Sequence, residues 1–238
     1  MYTSFFTAAR GAIEEQQRMN VIANNLANAN NYGYKPKTAV FSDLMYYNLN
    51  NIYGQETPLK AGTGIVVEKT DTNFEASGYM PTDGKFDYAI NGEGFFMLRN
   101  PQTNAITYSR NGRFSMASFG TEFYLVNDNG NLVLDENRNP ILVTENGERL
   151  SGQIGIYDFD ILDGMLSTGN NEFSPVGKNG APYLVGADRL VDHTLEMSGV
   201  SVADDFSRVI ESQRAYAYAL RMVTTSDEVV STINALRQ

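Results

Sequence analysis

Apolar and small residues recur near the start of the chain at Phe5, Ala9, Ala12, Met19, Ala23 and Leu26. The steps alternate four and three, the seam of a helix made to lie along another helix, with Gln16 the one polar intrusion and Ile13 and Ile22 widening the stripe. Gly33 supplies a helix stop, and Pro36 opposes continuation. The far end repeats the pattern. Val202, Phe206, Val209, Tyr216, Leu220 and Val223 again step by four and three, with Gln213 in the gap, before the stripe shifts to Val229, Ile233 and Leu236. Ser201 with Asp204 reads as a capping box, although Glu or Gln is the usual partner. No Gly or Pro falls between Val200 and Gln238, so one long helix is predicted there.

The middle of the chain has a different period. From about Gly64 to Leu166, runs such as "KFDYAINGEGFFMLRN", "AITYSRNGRFSM" and "EFYLVNDNGNLVLDENRNPILV" set short apolar stretches between Asn-Gly and Asp-Asn-Gly turns. These are hairpin signals. "GQIGIYDFDIL" adds a strand, and Phe95, Phe96, Phe114, Phe123 and Tyr124 are expected to fill the β core. The predicted fold class is α+β, a central antiparallel β domain inserted between N- and C-terminal coiled-coil-forming α-helices. The expected segments are an N-terminal helix over 1–34, an extended linker over 35–72, the β domain over 73–185, a return linker over 186–199 and the C-terminal helix over 200–238. Gln16, Gln213 and Asp227 make the two seams poor cores for each other alone, so packing against other copies is expected.

Composition narrows the function. The chain has 238 residues, 42% of them hydrophobic and 19% charged, enough to build a core. A net charge of −10 with no basic run argues against nucleic acid as a partner. No signal-like N-terminus and no span of about 18 apolar residues is present, so neither a cleaved leader nor membrane insertion is expected. Cysteine is absent and His193 is the only histidine, which removes disulfides, thiolate chemistry, His-based triads and multi-histidine metal sites. No cofactor is expected. Carboxylates at Asp87, Glu93, Asp158, Asp160 and Asp163 are the remaining raw material for an acid–base pair, and would make a secreted cell-wall-active enzyme the alternative. "DENRN" and "YDFDILDG" lack the full spacing of a calcium loop and read as exposed turns.

"NVIANNLANANNYGYKPKTAVFSDLMY" near the start, "FDYAINGEGFFML" with "YSRNGRFSM" in the middle, and "LEMSGVSVADDFSRVIESQRAYAYALRMVTTSDEVVSTI" at the end stand in a fixed order. Together they resemble the bacterial flagellar basal-body rod proteins over nearly the whole chain, with Gln213, Arg214, Ala215 and Tyr216 matching the Q-R-A-Y core of the family's last helix. The first motif and "GNNEFSPVGKNGAP" look more like the distal than the proximal members, with a proximal rod or hook-type axial subunit as the alternative. The chain departs from the family's S-N-V before the last helix, since Ser198 is followed by Gly199 and Val200.

The resemblance implies a non-enzymatic subunit that leaves the cell body through the flagellar type III export apparatus without a cleaved signal. Copies would then stack as a helical homopolymer that carries torque from motor to hook. Its partners would be itself, other rod and hook subunits, and the surrounding basal-body rings, with neither nucleic acid nor membrane insertion. Assembly is expected to use Phe5, Ala9, Ala12, Met19, Ala23, Asn24, Asn25, Leu26 and Asn28 at one end. At the other it would use Phe206, Val209, Gln213, Arg214, Tyr216, Leu220 and Val223. Asn24, Asn25 and Asn28 are expected to set register, as buried Asn does in coiled coils.

Overall fold

A computed structural model describes residues 2–50, 56–120, 122–144 and 154–236. It contains the two terminal helices and an antiparallel β region between them, in two compact units. The helical unit is built from residues 1–27, 37–71 and 201–238, and the β unit from 28–36 and 72–200.

In the helical unit, helix α1 runs Tyr2–Ala27 and α2 runs Val202–Ala235, and the two lie against each other. Arg18 is nine residues before Ala27 and Glu211 nine after Val202. Their side chains meet at 3.3 Å, which sets the helices antiparallel. Gly33 does not stop α1, because the helix ends six residues earlier at Ala27. The Ser201 hydroxyl makes no cap bond, so the expected box does not form. Asp204 and Asp205 instead place negative charge in the first turn of α2, where the helix dipole favours it.

The stretch expected as a linker carries strands β1 (Lys37–Asp43), β2 (Tyr46–Asn50), β3 (Glu56–Gly62) and β4 (Ile65–Thr72). Strand β1 pairs with β4, and β2 with β3.

In the β unit, β5 (Tyr79–Pro81) and β6 (Tyr88–Ile90) lead to β7 (Phe95–Arg99). Then come β8 (Ile106–Ser109), β9 (Phe114–Phe119), β10 (Glu122–Asn127), β11 (Leu132–Val133) and β12 (Leu142–Val143). The chain continues through β13 (Ile156–Asp158), β14 (Leu166–Gly169), β15 (Glu172–Ser174), β16 (Tyr183–Val185), β17 (Leu190–Asp192) and β18 (Thr194–Glu196). The main sheet follows the order β12-β10-β11-β7-β8-β15-β14. Strand β13 also pairs β7 and β16, and β9 pairs β10.

Strand β7, "FFMLR", is buried on both faces. Its alternation sends Phe96 and Leu98 into one core with Phe114, Leu125 and Ile156. Phe95 and Met97 enter another with Tyr108, Tyr157 and Phe173. Phe123 packs against the first core, whereas Tyr124 turns its hydroxyl to Glu122 at the surface. The Asp-Asn-Gly turn forms between β10 and β11. It is held by buried Glu172, whose Oε1 accepts from the amides of Asn127, Asn129 and Asn131 at 2.8–2.9 Å.

The last strands return the chain. Strand β17 pairs β6, and β18 pairs β5. His193 lies between them with φ 53° and its Nδ1 3.1 Å from the Gly84 carbonyl, a turn residue in a structural place.

Candidate assembly site

The helices of the helical unit bury less than their sequence offers. Along α2, Asp205, Val209, Ser212, Tyr216, Ala219, Val223, Ser226 and Val230 are buried or half-buried. That is a four-three seam sharing Val209, Tyr216 and Val223 with the expected stripe. Small or polar residues fill the alternate places, where Phe206, Gln213 and Leu220 were expected. Those three stay exposed, with Phe206 at 52%, and so do Ile210, Tyr218, Met222, Val229, Ile233 and Leu236. Small side chains let the helices approach closely, and the large apolar ones are displaced to the flanks. On α1, Phe5, Ala9, Met19 and Leu26 are half-buried and Ala12 is buried, while Ala23, Phe6 and Ile13 face solvent. Arg214 and Gln213 of the Q-R-A-Y core are exposed, and Ala215 and Tyr216 are half-buried.

Helix α2 also outruns its partner. With 34 residues against 26, at a rise of 1.5 Å per residue it is about 12 Å longer. Given the Arg18–Glu211 register, Tyr2 falls opposite Asp227, so the turns beyond it, which carry Val229, Ile233 and Leu236, have no described α1 residue opposite them.

The asparagines divide by task. Asn25 is 2% exposed, and its carboxamide donates to the Lys37 carbonyl at 2.8 Å and accepts from the Lys37 N–H at 2.9 Å. It thus fastens α1 to the first residue of β1. Glu14, also buried in α1, accepts from the Val67 N–H of β4 at 2.9 Å. Sequence reasoning missed Glu14, although a carboxylate two positions from the seam residue Ala12 was the available signal. Asn24 lies exposed on the helix. Asn28 belongs to the β unit, where its Oδ1 accepts from Asn31 at 2.6 Å and its carbonyl from the Ser198 hydroxyl at 3.0 Å.

Within the β unit, the two segments that lead to the helices are stitched side by side. The Gly33 N–H donates to the Glu196 carbonyl (2.9 Å), and the Gly199 N–H donates to the Tyr34 carbonyl (3.0 Å). Beneath them lies a buried ionic cluster. Lys35 Nζ is 2.7 Å from Glu196 Oε1 and 2.6 Å from the Glu75 carbonyl. Arg110 donates to the carbonyls of Gly94 (2.7 Å) and Gly92 (2.6 Å). Its Nε stands 3.0 Å from Glu196 Oε2, close enough to pair as ions although not aligned as a hydrogen bond. Ser77 adds its N–H to Glu196 at 3.0 Å.

Burial pulls the Lys35 ammonium below the ordinary lysine range, opposed chiefly by the Glu196 charge and hydrogen bond. The cluster therefore depends on all of its members. Gly33, at φ 65°, is needed here, because a Cβ would stand 2.5 Å from the Arg110 carbonyl carbon. The departure at Gly199 also has a reason, since a Cβ there would press within 2.9 Å of Pro36 Cδ.

The structure does not gather the five candidate carboxylates in one place. Asp87 accepts from Thr82 at 2.7 Å, and Asp158 is buried with Oδ1 on the Phe159 N–H. Glu93 and Asp163 line a shallow cleft with Glu75, whereas Asp160 does not. In "DENRN", Asp135 accepts from the N–H groups of Asn137 and Asn139 and so closes a turn. Charge is unevenly shared. By sequence, the β unit has 17 Asp and Glu against 9 Lys and Arg, a net −8. The helical unit has 11 against 9, a net −2, completing the chain's −10.

Antiparallel terminal helices whose flanks leave large apolar side chains exposed are the surface of a subunit made to pack against others. Three family models match the chain in order. Residues 5–35 match the flagella basal body rod protein model, 89–169 the D1 domain of the flagellar hook protein FlgE/F/G, and 191–236 the C-terminal model of the flagellar basal body rod FlgEFG proteins. The flagellar basal-body rod protein FlgG of Buchnera aphidicola subsp. Schizaphis graminum is 31% identical over 99% of this chain and 100% of its own length. FlgG of Borreliella burgdorferi is 31% identical over the whole of both chains. The flagellar hook-basal body complex protein FlhP of Bacillus subtilis is 27% identical over the same extent. The chain belongs to the bacterial flagellar basal-body rod family, with distal rod proteins among its relatives, and its members are structural proteins rather than enzymes.

Proposed function

We propose that the chain is a rod subunit that polymerises through its terminal helices into a helical tube transmitting torque from motor to hook. The observation that carries this is the apolar surface left on α2 once α1 is packed, from Phe206 and Ile210 to the unopposed Val229, Ile233 and Leu236. A soluble monomer gains nothing from such a stripe, whereas helices of neighbouring copies would cover it as coiled coils. The near-neutral helical unit suits close packing of copies, and the acidic β unit keeps β units of neighbours apart.

Export through the type III apparatus without a cleaved signal, contact with other rod and hook subunits, and passage through the basal-body rings complete the reading. They rest on the family resemblance. Most of the predicted assembly residues fall into three groups under it. Phe206, Gln213, Arg214 and Leu220 are available to neighbours. Ala12 and Asn25 serve the chain's own packing, and the half-buried Phe5, Ala9, Met19, Leu26, Val209, Tyr216 and Val223 lie between the two.

The test is Phe206→Asp with Ile210→Asp. Sedimentation should show loss of polymer while circular dichroism retains the helical signal. Polymer formation at the wild-type concentration would remove the α2 flank from the interface.

A further inference from the structure

The β unit holds a cleft of about 350 Å³ that the rod reading does not use. Its size falls within the range of small-ligand sites, but its chemistry is unusual for one, since most are apolar. Four separate turns enclose it, contributed by residues 28–32, 109–113, 127–129 and 170–171, and Asn is the dominant lining residue.

The floor is fixed. Buried Ser109 donates to the Asn171 carbonyl at 2.9 Å and accepts from the Asn111 N–H at 3.1 Å. Asn127, also buried, accepts from the N–H groups of Asn129 and Asn131 at 3.0 and 2.8 Å. The rim is open. Among the described residues the carboxamides of Asn30 and Asn170 make no hydrogen bond, and Asn129 Oδ1 accepts none. Asn170 is held at φ 53°, so its direction is set by the turn. Among the described residues, the charged lining side chains are Arg113 and Asp128, which face each other at 4.0 Å and leave the lining neutral. Tyr32 adds a half-buried aromatic ring.

We propose that this cleft binds a neutral oligosaccharide. A carboxamide offers a donor and an acceptor side by side, the pattern that adjacent hydroxyls satisfy in return. A neutral lining gives an ion no drive to enter, and an apolar ligand would strip water from amides without replacing it. An extended peptide pairs best along a strand edge, whereas four unconnected turns suit a compact ring with hydroxyls around it. Tyr32 supplies a face against which a sugar ring packs.

The test uses the full chain, ¹⁵N-labelled and titrated with tri-N-acetylchitotriose and, separately, maltotriose. Amide shifts confined to the four turns are expected with at least one sugar, at a Kd of about 1 mM or tighter. Asn30→Ala with Asn170→Gly should weaken binding by about tenfold, worth 1.4 kcal/mol, with an unchanged thermal midpoint. Glycine keeps the left-handed turn at 170, so loss of binding would report the carboxamides rather than the backbone. Absence of shifts with both sugars overturns the proposal, as does undiminished binding by the double variant. If the sugars fail and the double variant also impairs polymerisation, the cleft is a seat for a neighbouring copy. The proposal would then be wrong while the rod reading stands.

Discussion

Asn25 and Lys37 hold each other by a pair of hydrogen bonds, the side-chain amide of one closing on the main chain of the other at 2.8 and 2.9 Å. The carboxamide stands in for a neighbouring strand and lets β1 begin against a helix. Asn25→Leu keeps the volume and leaves the half-buried Lys37 N–H and C=O without the carboxamide. The expected cost is about 2–4 kcal/mol, read from chemical denaturation followed by helical circular dichroism. An unchanged midpoint would mean that water or a shifted strand replaces the amide.

The Glu196 cluster makes a sharper contrast. Glu196→Gln leaves Lys35 and Arg110 buried without their counter-charge and should cost about 3–5 kcal/mol. Replacing all three with apolar residues of similar size, Lys35→Met, Arg110→Met and Glu196→Leu, should recover most of the loss. If the triple variant were as unstable as Glu196→Gln, the cluster's hydrogen bonds to the Gly92, Gly94 and Glu75 carbonyls would outweigh its charge balance.

Gly33→Ala is expected to destabilise by more than about 1 kcal/mol, the usual scale of a left-handed penalty, because contact with the Arg110 main chain adds to it. Asn, which tolerates the same dihedral angles, should fail equally at this position. A well-folded Gly33→Asn by thermal denaturation would show that dihedral strain alone sets the requirement.

Asp158 offers a test by pH. Burial raises its pKa above the usual 3.8, so the charged form opposes folding. Its contribution to stability is fully present below the ordinary carboxylate range and is lost as pH rises through the raised value. Asp158→Asn can still accept from the Phe159 N–H. It should therefore raise the melting midpoint at pH 7, by about 2–4 °C for each kcal/mol relieved, and leave it unchanged below about pH 4. A gain that persisted at low pH would assign the effect to packing.

The concentration of negative charge in the β unit sets an ionic-strength dependence. If copies stack with β units as neighbours, raising salt from about 10 mM to about 150 mM shortens the screening length from about 30 to about 8 Å. Polymerisation should then be favoured, as light scattering would show. Inhibition by salt would mean that attractive ion pairs dominate the contact.

Much of this was legible in the sequence. The four-three spacing located both helices, and the Asp-Asn-Gly signal located the β10–β11 hairpin, whereas Asn91-Gly92 and Asn111-Gly112 join strands that do not pair with each other. The phase of the α2 seam was not legible, because hydrophobicity alone chose Phe206 and Leu220 over Asp205 and Ala219. Close approach of two helices selects small residues, and that preference appears only once the partner is known. The fastening by Asn25 and the ionic cluster at Glu196 escaped for another reason. Their members lie 12 to 161 residues apart, beyond any local pattern.

Those separations also set an order of events. Lys35 waits for a residue 161 positions later, and Arg18 for one 193 positions later. Closing such long loops is the slow part of finding a fold, and neither contact exists until nearly the whole polypeptide is present. A chain interrupted anywhere before Glu196 has an N-terminal helix with no companion, and its Gly33 N–H and Lys35 have no Glu196 to meet. Completion of the last forty or so residues is therefore the event that licenses the helical unit, and a truncated product has no means of imitating it.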